Sequence, residues 1–246
     1  MKNARRINGM LLALAMVLMR VSSSPAEWIV DVAADTYVHV GSPDTNFGSS
    51  SDFQTANDGG TLGMSKTTDK WSIFRFDVSE VPAIGFLTGA SLSLQKVGGS
   101  TTDYYLYGVP DTGADESFDE LAYTYNNSSW SMANNTGSGF AADGGLYKTG
   151  LTELGQFSVT ATNPETLMIS GAAMTDFLNA DTNDIVTFIL WQNQTGTDSK
   201  QTRSFTSGEA STGQAPQLTL IPEPATTALL GWGVALSLLR RRRRSR

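Results

Sequence analysis

The residues that could do chemistry in this 246-residue chain are acids and aromatic rings. There is no Cys and His39 is the only His, which excludes thiolate nucleophiles, disulfides, Cys-based zinc sites and any two-His metal centre. Five acids crowd one stretch: Asp111, Asp115, Glu116, Asp119 and Glu120. Hard cations take oxygen ligands, so Asp111, Asp115 and Glu116 are the candidate calcium ligands. The spacing is not that of an EF-hand, because the sixth position from Asp111 is Glu116 rather than Gly. A second, weaker candidate runs from Asp44 to Asp52. Glycosidase chemistry would need two carboxylates a few ångströms apart, one with a raised pKa. Crowded acids are more simply solvated charge, and no catalytic residue is assigned. Sugar binding would use exposed rings that stack on pyranose faces. Tyr104, Tyr105, Tyr107, Tyr123, Tyr125, Trp130 and Trp191 are available. Trp130, in a polar loop, is the expected exposed ring, with Tyr125 beside it.

The elements that must position these groups read as strands. Phe74, Phe76 and Val78 alternate inward with Arg75 and Asp77 outward, and Ala90 to Gln95 alternates equally well. Thr36 to Val40 sets Val38 and Val40 against Tyr37 and His39, after a break at Ala33-Ala34-Asp35 that suggests two short runs. Tyr104 to Val109 follows Gly98-Gly99, which predicts a hairpin. Val186 to Gln192 is apolar on both faces, as a central strand would be, and Gln217 to Ile221 is the last strand. Gly171 to Asn179 spaces Met174, Phe177 and Leu178 as the one short amphipathic helix. Asn126 to Gly145 reads as one long polar loop. The expected fold is an all-β, jelly-roll-like sandwich over residues 27–221.

Charge is segregated along the chain. Four of the 17 basic residues lie in residues 1–26 and six in residues 240–246, leaving seven against 24 acids in the centre, a formal −17. Such a body repels nucleic acid and anionic lipid. The basic ends flank apolar runs instead. Lys2, Arg5 and Arg6 precede the apolar run Ile7–Met19, and Ser24-Pro25-Ala26 offers a cleavage site after Ala26. That is the pattern of a secretory signal peptide, with an uncleaved anchor as the alternative. At the other end Pro222-Glu223-Pro224 precedes fifteen mostly apolar residues, Ala225 to Leu239, and then Arg240, Arg241, Arg242, Arg243 and Arg244. The arginines act as a stop-transfer block, the alternative being an ordinary tail anchor.

In order and position, residues 222–246 resemble the PEP-CTERM protein-sorting tail. The resemblance implies a short transmembrane helix, recognition by an exosortase-type membrane protease, and cleavage near Pro222 to Pro224. It also implies a bacterium with an outer membrane, often one that makes exopolysaccharide. The body carries a second resemblance. Ala34-Asp35-Thr36-Tyr37-Val38, Asp44-Thr45-Asn46-Phe47-Gly48, Phe74-Arg75-Phe76-Asp77-Val78 and Thr88 to Leu94 come first. Leu106-Tyr107-Gly108-Val109, Tyr123 to Asn127, Phe205-Thr206-Ser207 and Ala215 to Leu220 follow. In this order they resemble the DNRLRE-type, carbohydrate-binding-module family 96 domain over about Asp31 to Ile221. The resemblance implies a β-sandwich associated with polysaccharide, alginate among others. The chain departs from the pattern in its scarce basic residues and a long stretch from Ser128 to Leu154. A body this acidic is a poor partner for a polyanion. The expectation is an exported, non-catalytic surface or matrix protein that binds or organises exopolysaccharide. Its alternatives are a purely structural matrix protein and a polysaccharide-degrading enzyme.

Overall fold

Alternating apolar side chains along the strands demand two cores, one on each face of the same sheet, and the computed structural model shows both. It describes residues 27–57, 68–82, 84–113, 115–131, 150–193 and 202–223. Glu27–Pro222 forms one compact unit. The expected signal and cleavage site at Ala26, and Pro224, Arg240, Arg241 and Arg242 of the expected tail, lie outside the described residues. Among the described residues no helix is long and apolar enough to cross a membrane.

The elements are β1 (Trp28–His39), β2 (Asp52–Thr55), β3 (Lys70–Asp77), β4 (Leu87–Gly98), β5 (Thr102–Val109), β6 (Thr152–Val159) and β7 (Glu165–Ser170). Helix α1 (Ala172–Asn179) follows, then β8 (Ile185–Asn193), β9 (Arg203–Thr206) and β10 (Gln217–Pro222). All pairings are antiparallel. The first layer runs β7, β4, β10 and the first half of β1, with β9 extending alongside β4 and β2 pairing β9. The second runs from the second half of β1 through β3, β8 and β5 to β6. From β3 the chain crosses between layers at every connection except β5–β6 and β9–β10, giving an all-β sandwich.

Three expectations need correction. The two short runs at residues 28–40 are one strand: a bulge between Val32 and Ala34 bends β1 so that it serves both layers. Gly98-Gly99 does not close a hairpin. β4 pairs with β10, β7 and β9, whereas β5 pairs with β8 and β6, so the turn crosses between layers. β5 is apolar on both faces and so lies inside a layer covered on both sides, between β8 and β6. Gly99 holds φ +102 against Arg203, where a Cβ would sit 2.5 Å from Arg203 Cγ. The third correction adds strands β2, β6, β7 and β9. In β6 the positive-φ Gly155 and a register shift opposite Leu106/Tyr107 break the period of two.

Between the layers lie Phe53, Phe74, Phe76, Leu92, Leu94, Tyr104, Phe188, Phe205 and Leu218, all nearly inaccessible. Helix α1 closes one end by burying Met174 and Leu178. Alternation forces the other side chains of the second layer outward: Trp71, Ile73, Tyr107, Val109, Ile189 and Trp191. They remain buried because residues 110–113 and 115–131 fold back across this face as a covering segment and add Phe118, Tyr123, Tyr125 and Trp130 to a second core. Each large side chain so covered contributes about 1.5–3 kcal/mol.

Candidate functional site

The acidic stretch is therefore a covering segment over an apolar sheet face, and its polar groups sort by what holds it down. Arg75 on β3 donates to Phe118 O at 2.8 Å, and its guanidinium lies 5.5 Å from the Phe118 ring centroid. Asn46 Nδ2 donates to Glu120 O at 2.6 Å and to Tyr123 O at 2.8 Å. Gly48 passes so close that a Cβ would stand 2.2 Å from Glu120 O.

Asp115, expected as a calcium ligand, is committed elsewhere. Its Oδ2 accepts from Tyr123 OH at 2.6 Å and Ser129 N at 2.7 Å, and its Oδ1 from Ser129 Oγ at 2.9 Å. Ser128 Oγ joins at 3.2 Å from Oδ2 and 2.7 Å from Tyr123 OH. Asp115 is buried and acts as the hub that folds the segment on itself. Burial and the Asp115 carboxylate push the Tyr123 phenol well up, so it stays a donor.

Tyr125 and Trp130, expected as sugar-stacking rings, are only 5% and 7% exposed. They lie on the second core under the segment, so neither offers a face to a ligand. The polar sequence around Trp130 marks the outer skin of the segment; the ring points the other way.

Asp111 and Glu116 do come together, with a partner that spacing along the chain could not reveal. Asp181, just after α1, brings a carboxylate oxygen within 4.8 Å of one from each of the other two. A frame holds them: Thr182 N donates to Asp111 Oδ2 at 2.9 Å, Asn183 Nδ2 to Glu116 Oε2 at 2.7 Å, and Asp184 N to Asp181 Oδ2 at 2.9 Å. Burial, reinforced by Asp111 and Glu116, raises Asp181 to about 6; burial and Asp111 also raise Glu116.

A second trio joins Asp35 on β1, Glu120 and Glu209, again within 4.8 Å. Asp35 is 2% exposed; its Oδ2 accepts from Gly208 N at 2.7 Å while its own N–H donates to Glu120 Oε1 at 2.7 Å. Burial, with Glu209 and Glu120 nearby, raises Asp35 to about 7. Of the weaker candidates, Asp44 accepts from Asn126 Nδ2 at 2.8 Å and Asp52 from Gln54 Nε2 at 3.2 Å. Among the described residues neither belongs to a trio.

The opposite face of the molecule has a different character. Leu92, Leu94, Leu167, Ile169, Leu218 and Leu220 point inward from the first layer, so Ser91, Ser93, Gln95, Thr166, Met168, Ser170, Gln217 and Thr219 point outward. Carboxamides bridge this face. Gln214 Nε2 donates to Ser93 Oγ and Gln217 Oε1, both at 3.1 Å, and Gln217 Nε2 to Asp31 Oδ1 at 2.8 Å. Ile29 and Met168 add exposed apolar area. An open groove continues the face toward α1, lined by Thr88, Ser91, Thr175 and Asn179 among others. Pro222 of the expected sorting triplet ends β10 opposite Leu87, and Glu223 follows, exposed.

No known protein-family model matches the chain, and no curated protein is similar to it.

Proposed function

We propose that the chain is an exported, non-catalytic surface or matrix protein that organises exopolysaccharide through the outer face of its first layer. The supporting observation is that face: a ladder of hydroxyls and carboxamides on a body, residues 27–221, with seven basic residues against 23 acids, a formal −16. Hydroxyl and amide groups exchange hydrogen bonds with sugar hydroxyls, and the charge of the body disfavours polyanions. The preferred partner is therefore a neutral glycan chain. The basic and apolar ends support export and sorting, with an exosortase-type membrane protease as the processing partner and only transient contact with the membrane.

Affinity electrophoresis of the full chain, in mild detergent through gels loaded with neutral or acidic polysaccharide, tests the reading. Retardation by a neutral glycan, relieved in Thr219→Asp and Ser91→Asp, is the expected result. A second reading, a matrix protein with no specific ligand, is favoured by the burial of Tyr125 and Trp130. It wins if no polysaccharide retards the chain.

A further inference from the structure

The trio at Asp111, Glu116 and Asp181 has properties that solvated acids lack. Each carboxylate gives one oxygen to the protein frame: Asp111 Oδ2 to Thr182, Glu116 Oε2 to Asn183, Asp181 Oδ2 to Asp184. The remaining oxygens have no hydrogen bond among the described residues. For Glu116 this is conspicuous. The residue is 5% exposed, and its Oε1 is buried with no hydrogen-bond partner among the described residues. A buried carboxylate oxygen left bare costs several kcal/mol unless something positive meets it.

Among the described residues no basic side chain meets it. The neighbouring charges that act on Asp181 are Asp111, Glu116 and Asp184, all carboxylates. The trio also stands just beyond the carbonyl end of α1, where Ala180 N closes on Asp176 O and Asp181 N on Leu178 O. That end of a helix carries partial negative charge and favours cations. Three acids therefore converge on a place where the fold itself is already negative.

The geometry suits a hard cation. Three oxygens no more than 4.8 Å from one another leave a point no more than about 2.8 Å from all three, so a small inward shift of the side chains brings one ion into the roughly 2.3–2.6 Å range of calcium ligation. The donor set is all oxygen and comes from two segments: Asp111 and Glu116 from the covering segment, and Asp181 from the loop between α1 and β8. Such irregular sets suit calcium, whose coordination is flexible, better than magnesium, which demands a near-ideal octahedron.

We propose that Asp111, Glu116 and Asp181 form a calcium site that staples the covering segment to the loop after α1. The bare Glu116 oxygen is the ligand that the fold has prepared. The ion would tie down the segment that shields Trp71, Ile73, Ile189 and Trp191 from solvent. This site is on the second layer, apart from the glycan face proposed above, so the two can fail separately.

The test is calcium binding by the full chain in detergent, after stripping with EDTA and exchange into metal-free buffer. Calorimetric titration with CaCl₂ is expected to show one ion per chain at this site, with a dissociation constant of about 10⁻⁴–10⁻³ M or tighter, as for extracellular modules. Saturating calcium should raise the melting temperature by roughly 5–10 °C. Glu116→Gln and Asp181→Asn should each weaken binding at least tenfold and abolish the calcium-dependent rise. Their melting temperatures without calcium should equal or exceed that of the unsubstituted chain, because repulsion is relieved, and this shows that they fold. Glu209→Gln, in the other trio, should leave binding intact. The proposal is overturned if the chain takes up no calcium below 10 mM, or if the Glu116 and Asp181 variants bind as the parent does. Displacement of the ion by an equal concentration of magnesium would overturn the choice of calcium.

Discussion

Asp35 offers a sharp test of how the covering segment is held. Its carboxyl is 2% exposed and sits between Glu120 of that segment and Glu209 of the loop before β10. Burial lifts it from 3.8 to about 7. In this window the folded state binds more protons than the unfolded state, so stability falls as pH rises. The contribution is complete below about pH 4, is lost progressively up to about pH 7, and stays lost above. Three pH units at about 1.4 kcal/mol each set a ceiling of ~4 kcal/mol. Relaxation and water penetration soften the cost of a buried charge, so replacing Asp35 should recover about half of that ceiling, ~2 kcal/mol. Asp35→Asn keeps an acceptor for Gly208 N and never charges. Thermal unfolding followed by near-ultraviolet circular dichroism, from pH 4.5 to 8.5, compares it with the parent. At 2–4 °C per kcal/mol, the variant should melt roughly 4–8 °C higher at pH 8.5 and within a degree or two at pH 4.5. A difference between the two proteins that does not change with pH would refute the reasoning.

Other perturbations follow from the same packing. Tyr123→Phe removes the phenol that donates to Asp115 at 2.6 Å and should cost about 1.5–3 kcal/mol, seen as a lower urea midpoint. Gly48→Ala drives a Cβ into Glu120 O and should cost about 1–3 kcal/mol in the same assay. Trp130→Ala truncates a ring that is 7% exposed, so it should lower stability by about 3–5 kcal/mol. The protein that still folds should be retarded by polysaccharide as before; a selective loss of retardation would return that ring to the surface.

What could be read from the sequence was governed by local periodicity. β8 declares both its neighbours through Val186, Phe188 and Leu190 on one core and Ile189 and Trp191 on the other. The α1 stripe of Met174 and Leu178 was equally plain. The roles of Trp130 and Tyr125 were not, because a ring in a polar segment is buried only if the segment has an apolar surface to lie on. That surface is the outward half of β3, β5 and β8, three strands drawn from separate parts of the chain. The carboxylate partners were hidden for the same reason. Asp115 is nearer to Glu116 along the chain than Asp181 is, yet a turn directs it to Tyr123 and Ser129, while the α1–β8 loop delivers Asp181. Elements follow from spacing; the grouping of acids follows from how the layers are crossed.

The claim on which the function rests is that this body is delivered outside the cell and trimmed of both ends. Intact-mass spectrometry of the protein recovered from the cell surface and medium tests it most directly. The account predicts a species that begins at Glu27 and ends close to Pro222–Pro224. The untrimmed 26.3 kDa chain, recovered from the cytosol with both basic ends in place, would contradict it.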